Sequence, residues 1–357
     1  MIFRFAACSV LAVLSVGICL PLISPAAAKT GTSQPLFEQD APLEMEFEVD
    51  FAKVCHDPTS GKCEDLPATI QYIDDGGFPI SLDVKLRTRG RWRSDSSNCD
   101  LPALFVYFDP AQVEGTLFEN QTMLPFTTHC RSYNRIYHRY TMREYLAYRY
   151  YNLLTDNSLQ ARLTHTKFRD TGGSFRSRRY GFFTEHFQRA ASRMGAEFIE
   201  REDQDPREID PMEMATLSTF QYMIGNLDWS VLKSHNIALF RREDGTIIPL
   251  PFDFDYSGLV NAEYAVPPEA LHLYSVRVRK YRGFCRPEID WEELFGRFLA
   301  IRTSVMDLVN DMPAIDSSGK VATRRYLNQF FSTIGSSKKR KRDITDKCRD
   351  LPPAHVS

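Results

Sequence analysis

Residues 80–90 read ISLDVKLRTRG, an alternation in which Ile80, Leu82, Val84 and Leu86 are apolar while Asp83, Lys85 and Arg87 are charged. Successive side chains of an extended strand point to opposite faces, so this period of two predicts a half-buried strand rather than a helix. It places Arg87 and Arg89 at the strand end, just before Gly90. Similar short apolar stretches lie on either side: MEFEVDF over 45–51, TIQYI over 69–73 and ALFVYF over 103–108. With Asp74-Asp75-Gly76-Gly77 as a turn, they predict an antiparallel sheet built from sequence neighbours.

Downstream, residues 136–154 predict a long tyrosine-rich helix in which Tyr140, Glu144, Tyr148 and Tyr151 recur at helical spacing and share one face. A carboxylate among aromatics either snorkels to the surface or is held by a cation from another element. Residues 162–169 and 180–184 predict two further strands around a Gly172-Gly173 turn. Asp210-Pro211-Met212-Glu213 has the form of a helix start, Met214, Leu217 and Ile224 continue an apolar face, and Gly225 ends it. Residues 291–310 and 323–334 predict amphipathic packing helices near the C-terminus. Without internal repeats, the expectation is one α+β unit of two lobes: residues 29–187 a β-rich lobe with one long helix, residues 188–357 a lobe carrying an acidic site.

The first residues point to export. Arg4 precedes an apolar run over 5–23, and Ala26-Ala27-Ala28 before Lys29 fits a cleavage site, so residues 1–28 are expected to be a signal peptide. An uncleaved anchor is the alternative, disfavoured by Pro21 and Pro25. A lipid anchor on Cys19 is weaker still, because Ile18 stands where a small residue is needed. Of eight cysteines, cleavage removes Cys8 and Cys19, leaving an even set at 55, 63, 99, 130, 285 and 348. An even set in an exported chain suits disulfides. Cys55 and Cys63 flank a turn-rich loop and form the first expected pair, followed by Cys99 with Cys130 and Cys285 with Cys348. No two cysteines have zinc-site spacing. The compartment implied is periplasmic or extracellular, with no membrane span left after cleavage. The net charge of −2 argues against nucleic acid as the main partner. The basic run 338–342 reads as a solvated loop, with phosphate or membrane contact as the alternative. Alternation over 274–282 reads as a half-exposed strand or extended segment rather than a phosphate-binding strip.

The chemistry concentrates in one stretch. Gly225-Asn226-Leu227-Asp228-Trp229 is followed by an apolar run over 235–240, a turn at Glu243-Asp244-Gly245, a second run over 247–252, and Asp253-Phe254-Asp255. The two runs predict a hairpin. Pairing Phe240 near Ile247 would set Asn236 opposite Pro251 and bring Asn236, Asp253 and Asp228 together at the open end. Three oxygen ligands there suit a hard cation such as magnesium, with water and phosphate completing its shell.

The segment 225–258 resembles the catalytic core of the spore-coat CotH kinase-like family, atypical relatives of protein kinases. The resemblance is carried by Asn226-Leu227-Asp228, Asn236 and Pro251-Phe252-Asp253-Phe254-Asp255. Weaker agreements are Leu86-Arg87-Thr88-Arg89-Gly90, the helix bearing Glu144, and Gly181-Phe182-Phe183-Thr184-Glu185 ahead of a hinge. It implies an exported bacterial member with a two-lobed atypical protein-kinase-like fold, an antiparallel sheet N-lobe and a mainly helical C-lobe. It also implies Mg2+- and ATP-dependent phosphoryl or nucleotidyl transfer to a protein or other hydroxyl acceptor. Asp228 would be the catalytic base, Asn236 and Asp253 would hold magnesium with Asp255 in support, and Glu144 would pair with a phosphate-binding cation. Glu185, Lys85 and Arg89 would complete the nucleotide site. Lys85 is the only lysine over 70–129, although arginines at 87, 89, 91 and 93 supply charge, and Gly76-Gly77 is the only short stand-in for a glycine-rich loop.

Two readings from other classes stand beside it. One is a catalytically inactive, pseudokinase-like envelope or surface protein, with no turnover. The other is a metal-dependent hydrolase built on Asp253, Asp255 and His235, which gains nothing from His129 or His165, ordinary core or surface candidates. Neither a His-Glu-x-x-His helix nor a Gly-x-Ser-x-Gly elbow occurs in the chain.

Overall fold

The architecture turns on β1 (Leu43–Val49), which has a partner on both edges. One edge pairs antiparallel with β2 (Leu66–Ile73), and the other runs parallel to β6 (Ala161–Asp170). Between them come β3 (Pro79–Thr88), β4 (Leu104–Phe108), β5 (Met123–Thr127) and β7 (Arg176–Thr184), and the order β1-β2-β3-β4-β5-β7-β6 closes a seven-stranded mixed barrel. The computed structural model describes residues 34–57, 63–173, 176–200 and 204–353. The leader expected at 1–28 lies outside the described residues.

Closure has a local cause. Glu44, Glu46 and Glu48 of β1 face out of the barrel beside His165, Lys167 and Arg169 of β6, with Glu44–His165 at 2.8 Å, Glu46–Lys167 at 2.6 Å and Glu46–Arg169 at 2.8 Å. Such exposed pairs add only about 0–1 kcal/mol each, so their role is to select register. The driving force is inside, where Phe47, Ile70, Val106, Leu124, Phe126 and Phe183 are fully buried in one cluster. Burial of each such side chain is worth about 1.5–3 kcal/mol.

The expected two-lobed kinase-like fold, an antiparallel sheet lobe followed by a mainly helical lobe, does not form. The β-rich part is a closed barrel with a parallel pair, because β1 has no free edge. Alternation identifies strands but leaves open which distant strand covers an edge.

After the short α1 (Pro110–Val113), capped by Asp109, comes α2 (Arg135–Leu154), capped by Asn134. This helix is buried along most of its length. Its Tyr145, Leu146 and Tyr150 share one core with Leu163 and Phe182 of the barrel strands and with Phe220, Met223 and Phe330 from later helices. Then follow α3 (Phe187–Met194), β8 (Ala196–Ile199), α4 (Pro211–Ile224), β9 (Ile237–Arg242) and β10 (Ile247–Pro251), whose strands make a second sheet in the order β10-β9-β8. Asp210 caps α4 by accepting from the Glu213 backbone N–H at 2.8 Å. Gly225 ends it at φ 65°, where a Cβ would lie 2.0 Å from the Tyr326 hydroxyl. Only glycine fits this turn into the Asn226–Asp228 loop.

The chain closes with α5 (Trp291–Ala300), α6 (Arg302–Asp311), α7 (Ser317–Ile334) and α8 (Ser337–Asp343). The single helix expected over 291–310 is broken at Ile301, and the 338–342 run is helical rather than a loop. Nor is 274–282 a strand. Arg277 and Arg279 instead lie over the Tyr326 ring, at 4.4 and 3.6 Å, and Arg279 also donates to the Met223 and Tyr326 carbonyls. The disulfides are Cys55–Cys63, Cys99–Cys130 and Cys285–Cys348, the three expected pairs. Among the described residues no helix is long and apolar enough to cross a membrane.

Candidate functional site

The tyrosine face of α2 positions the acidic segment after β10. Tyr148 Oη accepts the Asp253 backbone N–H at 3.0 Å, and Tyr140 Oη accepts that of Glu263 at 3.2 Å. One turn of helix separates successive members of this face, so a rigid rod spaces the turn that carries Asp253 and Asp255. Glu144 lies between the two tyrosines, 2 % exposed. It does not snorkel to the surface.

Its partner is Arg93, whose Nη2 donates to Glu144 Oε2 at 2.7 Å and to Asp255 Oδ2 at 3.1 Å. Tyr264 Oη also donates to Asp255 Oδ2, at 3.1 Å, and its ring stacks on Trp92 with centroids 3.9 Å apart. The segment bearing Trp92 and Arg93 is held by the Cys99–Cys130 disulfide and by Arg131, which donates to the Asn98 carbonyl at 2.7 Å. Burial opposes the Arg93 charge, but Glu144, Tyr264, Asp255 and Asp253 outweigh it and hold the guanidinium well above its ordinary value. Burial raises Glu144 above the usual carboxylate range despite Arg93.

The hairpin mouth is one residue out of the expected register. Phe240 pairs with Ile248 and Pro251 with Ile237, so Asn236 faces Phe252, whose backbone N–H donates to the Asn236 carbonyl at 3.1 Å. Both Asn236 and Asp253 take left-handed backbone, at φ 54° and 59°. Asn and Asp tolerate this region better than other side chains, and such strain re-aims residues at sites. Asn236 Nδ2 donates to the Asp228 carbonyl at 2.8 Å and to Asp228 Oδ2 at 3.2 Å, leaving its Oδ1 as an acceptor. Asp228 Oδ1 meets His235 Nε2 at 2.9 Å. The Asp228 loop is pinned from behind by Arg282, which donates to the Leu227 and Trp229 carbonyls.

Among the described residues Asp253, unlike Glu144 and Asp255, makes no ion pair. Its carboxyl is pushed up to about 8, by burial first, then by Asp255 and Glu144, with Arg93 and Arg89 only partly offsetting them. Asp255, Asp228 and Asp253 all also raise the Tyr256 phenol, after burial, which marks them as one electrostatic cluster. Asp253 opens on a pocket of about 190 Å³, walled by Arg89, Phe105, Met123, Tyr148, His186 and Phe252. Ligand pockets usually hold about 300–1,000 Å³, so this one takes one ring system and leaves the rest of a larger ligand outside.

The remaining expected site residues divide. Arg89 lines the pocket, donating to Thr127 Oγ1 at 2.9 Å. Lys85 lies four residues earlier on the exposed face of β3, opposite Tyr107, and does not line it. Glu185 is in the wall, but its carboxylate is taken by Arg193 at 2.8 and 3.0 Å, by the Gln160 N–H at 3.2 Å and by Gln34. Asp255 is held by Arg93 and Tyr264 rather than free to bind a metal. Among the described residues no three His, Cys, Asp or Glu converge as a metal cage. Magnesium does not require one, since it commonly uses one or two carboxylates with water and substrate phosphates. Sequence reading missed the role of Tyr148, although it lay on the flagged face, and those of Trp92, Tyr264 and Arg282.

No family model matches this chain, and no curated protein matches it.

Proposed function

We propose that this cleft binds a nucleoside triphosphate with magnesium, and that the chain transfers the terminal phosphoryl group to a hydroxyl acceptor. Asp253 carries the reading: a half-buried carboxylate with raised affinity for a proton, beside two more acids and facing an open pocket, is chemistry that suits a divalent cation. The motif-level resemblance to the CotH family supports the same chemistry through Asn226, Asp228, Asn236 and Asp253, without its fold.

Asp253 and the Asn236 Oδ1 would hold magnesium, which when bound neutralises charge on phosphate oxygens. Arg89 adds a guanidinium to the pocket wall, and Phe105 and Met123 give a ring an apolar face. Asp228, its side chain 36 % exposed, faces solvent with His235 beside it. It accepts the proton of the attacking hydroxyl as the new O–P bond forms and the bond to the nucleoside diphosphate breaks. Glu144 and Arg93 position the segment that carries Asp253 and Asp255.

A second reading is favoured by Arg93, which already bridges Glu144 and Asp255: a protein that binds nucleotide and does not turn it over. The three disulfides support an oxidising compartment, periplasmic or extracellular, for either reading. Label transfer from γ-labelled ATP to the chain itself and to a serine-rich acceptor decides between them. Transfer by wild type that is lost in Asp228→Asn supports the transferase; nucleotide binding with no transfer in either protein supports the binding protein.

A further inference from the structure

A second site lies away from this cleft, in a groove of about 690 Å³ between α7 and α8. Arg324 and Arg325 of α7 form one wall, Lys339 and Arg342 of α8 the other, and Ser332 and Thr333 belong to the floor between them. Among the described residues no carboxylate lines it. Asp343 pairs with Arg342 at 2.6 and 2.7 Å and offsets one of the four charges. Arg324 is held by a neutral group, Asn310 Oδ1, at 2.6 Å, and Lys339 Nζ donates to Ser332 Oγ at 2.9 Å, with the Asp343 carboxylate shared between Arg342 and Lys339.

The groove is built rather than incidental. Residues 321, 325, 328 and 332 recur at helical spacing along one face of α7. On α8 the basic run is sorted by side. Arg340 turns inward to pair with Glu292 and lies over the Phe295 ring at 5.3 Å, while Lys339 and Arg342 face the groove. Ser336 caps the helix and buried Ile344 anchors its end. Guanidinium and ammonium groups beside hydroxyl and amide groups are the chemistry that recognises clustered phosphate oxygens.

We propose that this groove binds the clustered phosphate groups of a soluble polyanion. A soluble ligand is favoured over a membrane surface because, among the described residues, Val321 is the single apolar side chain lining this open groove, too little to insert into a bilayer. The proposal is independent of the nucleotide reading.

The test is calorimetric titration of the full chain with inorganic tripolyphosphate, with chelator present so that the acidic cleft cannot bind it through a divalent cation. Wild type is compared with the exposed-residue variant Arg325→Gln/Lys339→Gln, checked for unchanged melting temperature, and with Asp253→Asn. Binding weakened at least about tenfold in the double variant and unchanged in Asp253→Asn is the expected result, two charge-assisted contacts being lost. Equal binding by wild type and the double variant overturns the proposal, as does loss confined to Asp253→Asn or absence of binding to wild type. Binding to vesicles rich in anionic phospholipid without binding to tripolyphosphate also overturns it, in favour of a membrane surface.

Discussion

The Arg93 guanidinium donates to Glu144 Oε2 across 2.7 Å, joining a disulfide-tied loop to the middle of a buried helix. Both side chains are almost wholly removed from water, at 11 % and 3 % exposure. Removing one partner of such a pair leaves the other as an uncompensated buried charge, which costs about 3–5 kcal/mol. Arg93→Met should therefore lower the unfolding free energy by about that amount in denaturant titration, and Arg93→Met/Glu144→Met should recover only part of it, because Asp255 still loses the guanidinium. Additive losses in the double variant would show that the two side chains do not interact.

Asp253 gives a pH dependence whose sign is fixed. Its carboxyl titrates near 3.8 in the unfolded chain and at about 8 in the folded one. Between these values the folded state holds a proton that the unfolded state has released, so this group's effect is to lower stability as pH rises through that window. The stability of Asp253→Asn relative to wild type should increase from pH 4 to pH 8 and then level off. Added magnesium should shrink the difference at the upper end. A pH-independent difference would mean that Asp253 is not the strained member of the cluster.

His129 contributes in the opposite direction. It is buried with Nδ1 unpartnered beside His138, and burial first, then His138 and Arg179, push it down to about 3 from 6.5. The unfolded chain gains a proton at His129 below its ordinary value while the folded chain does not. Stability is therefore lost as pH falls from 6.5 towards 3, by about 1.4 kcal/mol per pH unit for one proton. His129→Gln should flatten the stability curve between pH 4 and pH 6 by about one proton's slope. An unchanged slope would locate the acid sensitivity elsewhere.

The disulfides separate stability from the site. Cys99–Cys130 fixes the loop that delivers Arg93, whereas Cys285–Cys348 ties the segment near residue 285 to the C-terminal end. Each double serine variant should lose about 2–5 kcal/mol of stability. Only Cys99→Ser/Cys130→Ser should also lose nucleotide affinity, measured well below its melting temperature. Equal loss of affinity in both variants would argue against a specific role for the Arg93 loop.

The sequence was legible where local chemistry decides the outcome. The strand over 80–88, the cap at Asp210, the Gly225 stop and the Cys55–Cys63 pair follow from periodicity, capping and spacing, and the other two expected cysteine pairs form as well. It was not legible where two distant segments compete for one edge. That β6 lies parallel to β1 depends on which strand reaches it, and alternation carries no such information. The hairpin register differs by one from the expected pairing, and Asn236 and Asp253 at its mouth both adopt left-handed backbone, which a pattern of apolar residues does not encode. Glu144 reads as a carboxylate that either snorkels or is held by a cation, and which of the arginines at 87, 89, 91 and 93 would reach it depends on loop geometry that the sequence does not spell out; Arg93 is the one that does.

The most direct test of the central claim is calorimetric titration of the disulfide-intact chain with ATP, with and without magnesium, for wild type and Asp253→Asn. The account predicts binding by wild type that requires magnesium and is lost or weakened at least about tenfold in the variant, the loss expected for a carboxylate that holds the cation. Absence of binding by wild type, or equal magnesium-independent binding by both proteins, would contradict it.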